Sequence, residues 1–291
     1  MAETRRDVEV DGRVRLAVRE FPDPGTGAPA LLLHHGLASS QRIWDLMLPS
    51  LVGSHRVVTY DARGHGRSSK PSAGYGFERT SSDLRAVVAA TRLRSPVLVG
   101  HSWGAMVALE AAVRFPRSFA GAVLVDGGVT PMRRSFPSWA AAKETLAPPH
   151  LAGMPVEEFR AMIRTFFADF VDVTSDVEDI VLSVMREDRS GRIHPNLSRA
   201  NHFRILRSIW SQEPLALHAK LRIPALAIVA HRADQPGTQG LEQAKRAAVE
   251  ELRATGAPTR VSWIEGIHDV PLQHPRELAT RIRRFARTAV R

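Results

Sequence analysis

The chain has 291 residues, 44% hydrophobic and 24% charged, with a formal net charge of +10. That balance excludes a wholly disordered chain, and the length suits one α/β domain carrying an insertion. Cysteine is absent, which rules out disulfides, a thiolate nucleophile and Cys-ligated metal centres. No run approaches the roughly 18 apolar residues of a membrane-spanning helix. The charged opening, residues 1–11, lacks the apolar core of a signal peptide. No membrane association and a cytoplasmic location are expected. The surplus Arg is scattered, in runs no longer than pairs such as Arg133-Arg134. No phosphate-tracking strip results, so no nucleic-acid partner is expected, although the excess charge can steer an anionic substrate inward.

Residues 8–10 and 14–19 alternate apolar and polar around Asp11-Gly12, a hairpin signal. Short apolar runs follow at 30–34, 57–60, 97–99, 122–125 and 225–229, with a further strand pattern at 260–264. Runs apolar on both faces are the mark of buried parallel strands. Residues 81–92 and 105–114 read as helices, and 275–290 as a closing helix. Alternating strand and helix predicts a mostly parallel sheet with helices on both faces. The rhythm breaks between Gly128 and Leu217, where no strand-like run occurs. Residues 156–170, 176–186 and 197–210 read there as amphipathic helices. The pattern predicts a helical cap over residues 131–216, inserted after the sixth strand, between core segments 1–130 and 217–291.

The most informative segment runs from Pro96 to Met106: an apolar strand, then Gly100-His101-Ser102-Trp103-Gly104, then a helix. A nucleophilic Ser presented at a sheet edge needs a sharp strand-to-helix turn with small residues two positions to either side. Gly100 and Gly104 fill those places. The helix then starts beneath Ser102, where its free N–H groups and dipole favour an oxyanion.

On these residues the chain resembles the α/β-hydrolase superfamily, in its cap-bearing branch. Three further segments carry the resemblance. His34-His35-Gly36-Leu37 resembles the loop that supplies an oxyanion-hole N–H. Asp61-Ala62-Arg63-Gly64-His65-Gly66-Arg67-Ser68 resembles the family's Asp-x-Arg-Gly-x-Gly-x-Ser stretch. Gly266-Ile267-His268-Asp269 resembles the segment bearing the catalytic His. The resemblance extends from about Val8 to the C-terminus and is weakest in the cap. It implies an α/β-hydrolase fold, no cofactor and no metal; no His-Glu-x-x-His pattern is present either.

A Ser hydroxyl needs a base within reach and a third group to orient that base. His268, after the last strand, is the candidate base, in the chain order Ser, acid, His that this fold uses. For the acid, Asp234, just after the strand at 225–230, holds the place most members use. Asp126, at the end of the strand following the elbow strand, holds the place a minority use. Asp234 is preferred and Asp126 is the alternative. The backbone N–H groups of Trp103 and Leu37 are the expected oxyanion donors. His101 is expected to point away from the nucleophile, and Arg63 to anchor the loops under the site.

The cap aromatics, among them Trp139, Phe159, Phe167 and Trp210, read as packing, with a few roofing an apolar pocket. Ser102 at the elbow argues against epoxide hydrolases and haloalkane dehalogenases, which place Asp there, and neither Tyr60 nor Tyr75 lies in the cap. The resemblance therefore implies a serine hydrolase acting on a small molecule with an apolar part, an ester, thioester or lactone. The alternatives are a carbon–carbon bond hydrolase or biosynthetic cyclase on the same triad and, from another class, a non-catalytic ligand receptor.

Overall fold

The structure, a computed structural model, describes residues 3–232 and 239–289. Strands β1 (Thr4–Val10) and β2 (Val14–Phe21) form an antiparallel hairpin with Val10 opposite Val14. Asp11 and Gly12 turn the chain with φ of 59° and 67°, the left-handed conformation that tight hairpins need. The sheet continues with β3 (Leu31–His34), β4 (Val57–Tyr60), β5 (Val97–His101), β6 (Gly121–Val125), β7 (Ala225–His231) and β8 (Thr259–Glu265). Its order is β1-β2-β4-β3-β5-β6-β7-β8. β2 runs antiparallel to β4, and every later pairing is parallel.

The apolar runs read as strands are buried from end to end in β3, β4, β5 and β6 because helices cover both faces. Leu32, Val58, Leu98 and Leu124 pack on one side against Leu84 and Val87 of helix Phe77–Ala90 and Val107 of helix Trp103–Arg114. Leu31, Leu33, Val97, Val99 and Val123 pack on the other side against Leu278, Ile282 and Phe285 of helix Pro275–Thr288. Each such aliphatic side chain contributes about 1.5–3 kcal/mol relative to exposure. The result is a stiff platform whose strand ends hold the loops of interest.

Between β6 and β7 the chain makes an insertion of helices, chiefly Trp139–Thr145, Val156–Phe167, Ser175–Leu182 and Arg199–Ser211. None of it joins the main sheet. The expectation of a strand-free insertion needs correction. Met154–Pro155, Met185–Glu187 and Arg192–Pro195 form a separate three-stranded antiparallel sheet. Strands this short carry no readable alternation. The hairpin is closed by Asp188, whose Oδ1 accepts the N–H groups of Ser190 and Arg192. The sequence reading also leaves the stretch after β7 unassigned, where the structure has helix Gln239–Ala254. Among the described residues no helix is long and apolar enough to cross a membrane.

Candidate active site

Ser102 follows β5, Asp126 follows β6, and His268 lies just past β8, so three strand ends of one sheet edge carry the candidate residues. Ser102 takes φ 57° and ψ −120°, a conformation rarely held by a residue with a side chain. The surrounding backbone enforces it. The Ser102 N–H donates to the Val125 carbonyl at 2.8 Å. A Cβ on Gly100 would lie 2.2 Å from the Gly104 carbonyl oxygen, and one on Gly104 would lie 2.3 Å from that of His34. The elbow therefore closes only where those positions lack side chains.

His268 joins the other two residues. Its Nδ1–H donates to Asp126 Oδ2 at 2.6 Å, and its Nε2 accepts from the Ser102 hydroxyl at 2.9 Å. Asp126 is acceptor-only, so it dictates the tautomer and leaves Nε2 as the basic lone pair. The Asp126 side chain is 4% exposed and the His268 side chain 54%, so the acid is sealed while the base meets incoming solvent or substrate. Burial pushes the Asp126 carboxyl up, but the hydrogen bond and charge of His268, with Lys245 behind it, outweigh burial and hold it at about 2. Desolvation pulls His268 down. The Asp126 hydrogen bond and charge, aided by Asp269, overcome it, and the imidazole ends above its ordinary value of 6.5.

The preferred acid, Asp234, lies outside the described residues. Both ring nitrogens of His268 are engaged without it, and the carboxylate on Nδ1 belongs to Asp126, the alternative. Of the two candidate acids, Asp126, the alternative, is the one that the described residues set against the ring. The physical reason is adjacency: β6 pairs directly with β5, His101 opposite Val125, so the next residues on the two strands, Ser102 and Asp126, leave the sheet side by side.

For the oxyanion donors, Trp103 is the first residue of its helix, where an N–H has no carbonyl one turn below it. Gly36, one residue before Leu37, backs onto the nucleophile position; a Cβ there would sit 3.2 Å from Ser102 Cβ. The loop is braced by histidines. His35 donates from Nδ1 to the Gly36 carbonyl and accepts the Ala62 N–H on Nε2. His65 donates to the Arg63 carbonyl, accepts the Ala38 N–H and stacks on Trp103 at 5.3 Å. Burial lowers His34 to about 4 and His35 to about 3, so these rings are neutral struts. The His101 side chain bonds the loop bearing the base and not the Ser102 hydroxyl. Its Nε2–H donates to the His268 carbonyl at 2.8 Å, which ties the residue before the elbow to the loop bearing the base.

Arg63 acts one layer below. Its guanidinium meets Asp83 of helix Phe77–Ala90 through two bonds, 2.5 and 2.7 Å, with both side chains buried. It thus ties the loop in which it sits to that helix. Asp61 also holds the loops, accepting the N–H groups of Gln41 and Arg67. Gly66 is required beside it, since a Cβ there would lie 2.2 Å from the Asp61 carboxylate.

Residues 29–161 match the family model described as alpha/beta hydrolase fold. The chain has the α/β-hydrolase fold. It is 37% identical over 158 residues to a non-heme chloroperoxidase of Streptomyces lividans, a match covering 52% of this chain and 52% of that protein. The chain thus spans about half the length of that relative, and 40% of the 2-(acetamidomethylene)succinate hydrolase of Mesorhizobium japonicum, to which it is 32% identical over 115 residues, 40% of this chain. Among solved structures, the α/β-hydrolase core and insertion superpose on E-2-(acetamidomethylene)succinate hydrolase with a TM-score of 0.74 at 20% identity, covering 98% of this chain and 99% of that one.

On this α/β-hydrolase core the insertion roofs a cavity of about 200 Å³. Its cap walls are mostly apolar, with Pro148, Leu151, Val184, Met185, Pro195 and Leu197, and its floor holds Ala38, Ser39 and His65 of the core. His202 lines it too and donates from Nε2 to the Leu146 carbonyl. Arg204 bonds Asn201, while Arg133 and Arg134 pair with Glu213 and Glu251, so these cations serve the insertion and its seam.

Proposed function

We propose that the chain is a serine hydrolase of carboxylic esters, thioesters or lactones working through an acyl-enzyme. The observation that carries this reading is the continuous hydrogen-bonded chain from Ser102 Oγ through His268 to Asp126. In the reaction, Ser102 Oγ attacks the acyl carbon while His268 Nε2 takes its proton. Asp126 holds the ring and stabilises the imidazolium. The oxyanion forms between the N–H groups of Trp103 and Leu37, a term worth about 10²–10³ in turnover per donor. His268 then hands the proton to the leaving group, and a water activated on the same nitrogen resolves the acyl-enzyme. Asp126 is the acid in this reading, in place of Asp234. The mostly apolar cavity is lined by none of Ser102, His268 and Asp126, but it begins at Ala38, the neighbour of Leu37 in the oxyanion loop, and so supports a substrate with a small apolar part.

Labelling with a fluorophosphonate probe tests the nucleophile. Ser102 should carry the adduct, and Ser102→Ala should lose labelling and ester turnover at an unchanged melting temperature. Turnover surviving in pure Ser102→Ala protein would sink the reading. A panel of esters, thioesters and lactones set beside β-diketones then separates acyl transfer from carbon–carbon cleavage on the same residues.

A further inference from the structure

Behind the acid stands a cation that the reaction scheme does not use. Lys245 lies on helix Gln239–Ala254, with its side chain 14% exposed. Its Nζ donates to Asp126 Oδ1 at 3.0 Å and to the Ala230 carbonyl at 2.7 Å. The Ala230 N–H donates to the same Oδ1 at 3.0 Å. The two carboxylate oxygens are therefore divided. Oδ1 is taken by Lys245 and the end of β7, and Oδ2 is left to His268.

We propose that Lys245 is a positioning residue for the hydrolysis: its ammonium pins Oδ1 of Asp126 to the end of β7, so that Oδ2 alone faces His268, and its charge opposes a resting positive charge on that imidazole. The inference rests on the triad reading above. A buried carboxylate beside an imidazole tends to capture a proton on the ring, and a ring already protonated cannot accept one from Ser102. With Lys245 in place the resting cluster of Asp126, Lys245 and neutral His268 carries no net charge. Among the described residues, the titratable and charged groups facing His268 are Asp126 from β6, Asp269 in its own loop, Lys245 from the helix and the neutral His101 ring 4.9 Å away. Asp126 and Asp269 hold the proton on the ring, and Lys245 works against them. Lys245 in turn faces Asp126, while Glu242, one turn earlier, accepts the Arg232 N–H. Without the ammonium, the two carboxylates act on the imidazole unopposed. Asp126 Oδ1 is then held to β7 by the Ala230 N–H alone.

The experiment compares the full-length wild type with Lys245→Met, Lys245→Gln and Lys245→Arg. It follows the rate of fluorophosphonate labelling of Ser102 against pH, with melting curves alongside. The acid limb should move up by about one pH unit in Lys245→Met and Lys245→Gln, so that labelling on that limb falls about tenfold. Lys245→Arg, which keeps the charge, should keep the wild-type limb. A limb in folded Lys245→Met or Lys245→Gln that coincides with wild type overturns the proposal. So does an equal shift in Lys245→Arg. If the Met and Gln variants fail to fold while Arg folds, Lys245 is a structural strut and the proposal is likewise overturned. The triad reading fails separately, and earlier, if the wild type is not labelled or Ser102→Ala still is.

Discussion

The backbone N–H of Ser102 donates to the carbonyl of Val125 at 2.8 Å. That bond continues the β5–β6 ladder one step past its end and fixes the spacing between Ser102 and the residue after Val125, Asp126. Both residues then turn out of the sheet with positive φ, 57° and 42°. Two non-glycine residues in this region on neighbouring strands are backbone strain spent on one spot. The His268 ring spans the gap between them.

Replacing the acid tests this arrangement. Asp126→Asn cannot hold the imidazolium and favours the wrong tautomer. Turnover of an activated ester should fall on the order of 10⁴. Asp234→Asn should stay within a few-fold of wild type. Steady-state kcat for the two variants decides, and an active Asp126→Asn beside a dead Asp234→Asn would reverse the assignment.

The titration of His268 sets the pH profile. Activity needs the neutral ring, and the folded imidazole lies above 6.5 because Asp126 outweighs desolvation. The acid limb of kcat/KM should therefore have its midpoint above 6.5, with activity dropping about tenfold per pH unit below it. A midpoint below 6.5 would contradict the direction.

The buried histidines predict acid sensitivity of the fold. His34, His35, His65 and His101 are all held below 6.5, with desolvation the largest cause in each. Their unfolded forms take up protons near 6.5, whereas the folded ones resist: His34 and His101 until about 4 and His35 until about 3, with His65 also held well below 6.5. Stability is thus fully present above 6.5 and lost as pH falls from there towards 4. The melting temperature should decline across that window, before the carboxylates titrate. A flat curve from pH 7 to 4.5 would count against the neutral-strut role.

Arg63 and Asp83 form a buried pair, so removing one partner strands the other. Arg63→Met should cost about 3–5 kcal/mol in denaturant unfolding. The double variant Arg63→Met/Asp83→Leu should recover a large part of that loss. A double variant no better than the single would show that Asp83 is not the stranded charge.

The strands, the elbow and His268 were legible because each depends on local pattern: apolar runs, Gly-x-Ser-x-Gly between strand and helix, a His after the last strand. The choice between Asp234 and Asp126 is not local. Both follow strand-like runs in the right chain order, and only the bond from the imidazole to Asp126 across the described residues points to one of them. Lys245 was missed with its helix, although Ala248, Val249 and Leu252 bury one face at helical spacing and could have revealed it. The short strands of the insertion left no signal, since two to four residues cannot display a period.

The glycine crossing at the elbow has a consequence for what this scaffold can host. Gly100 and Gly104 bring backbone against backbone, and Gly127 does the same, since a Cβ there would lie 2.2 Å from the Ser102 carbonyl oxygen. None of these contacts involves the side chain of residue 102. The turn is a socket, shaped by main chain alone and indifferent to what it holds up. A thiol or a carboxylate set in place of the hydroxyl would be presented at the same spot, so the choice of chemistry is a single-residue decision on an unchanged frame.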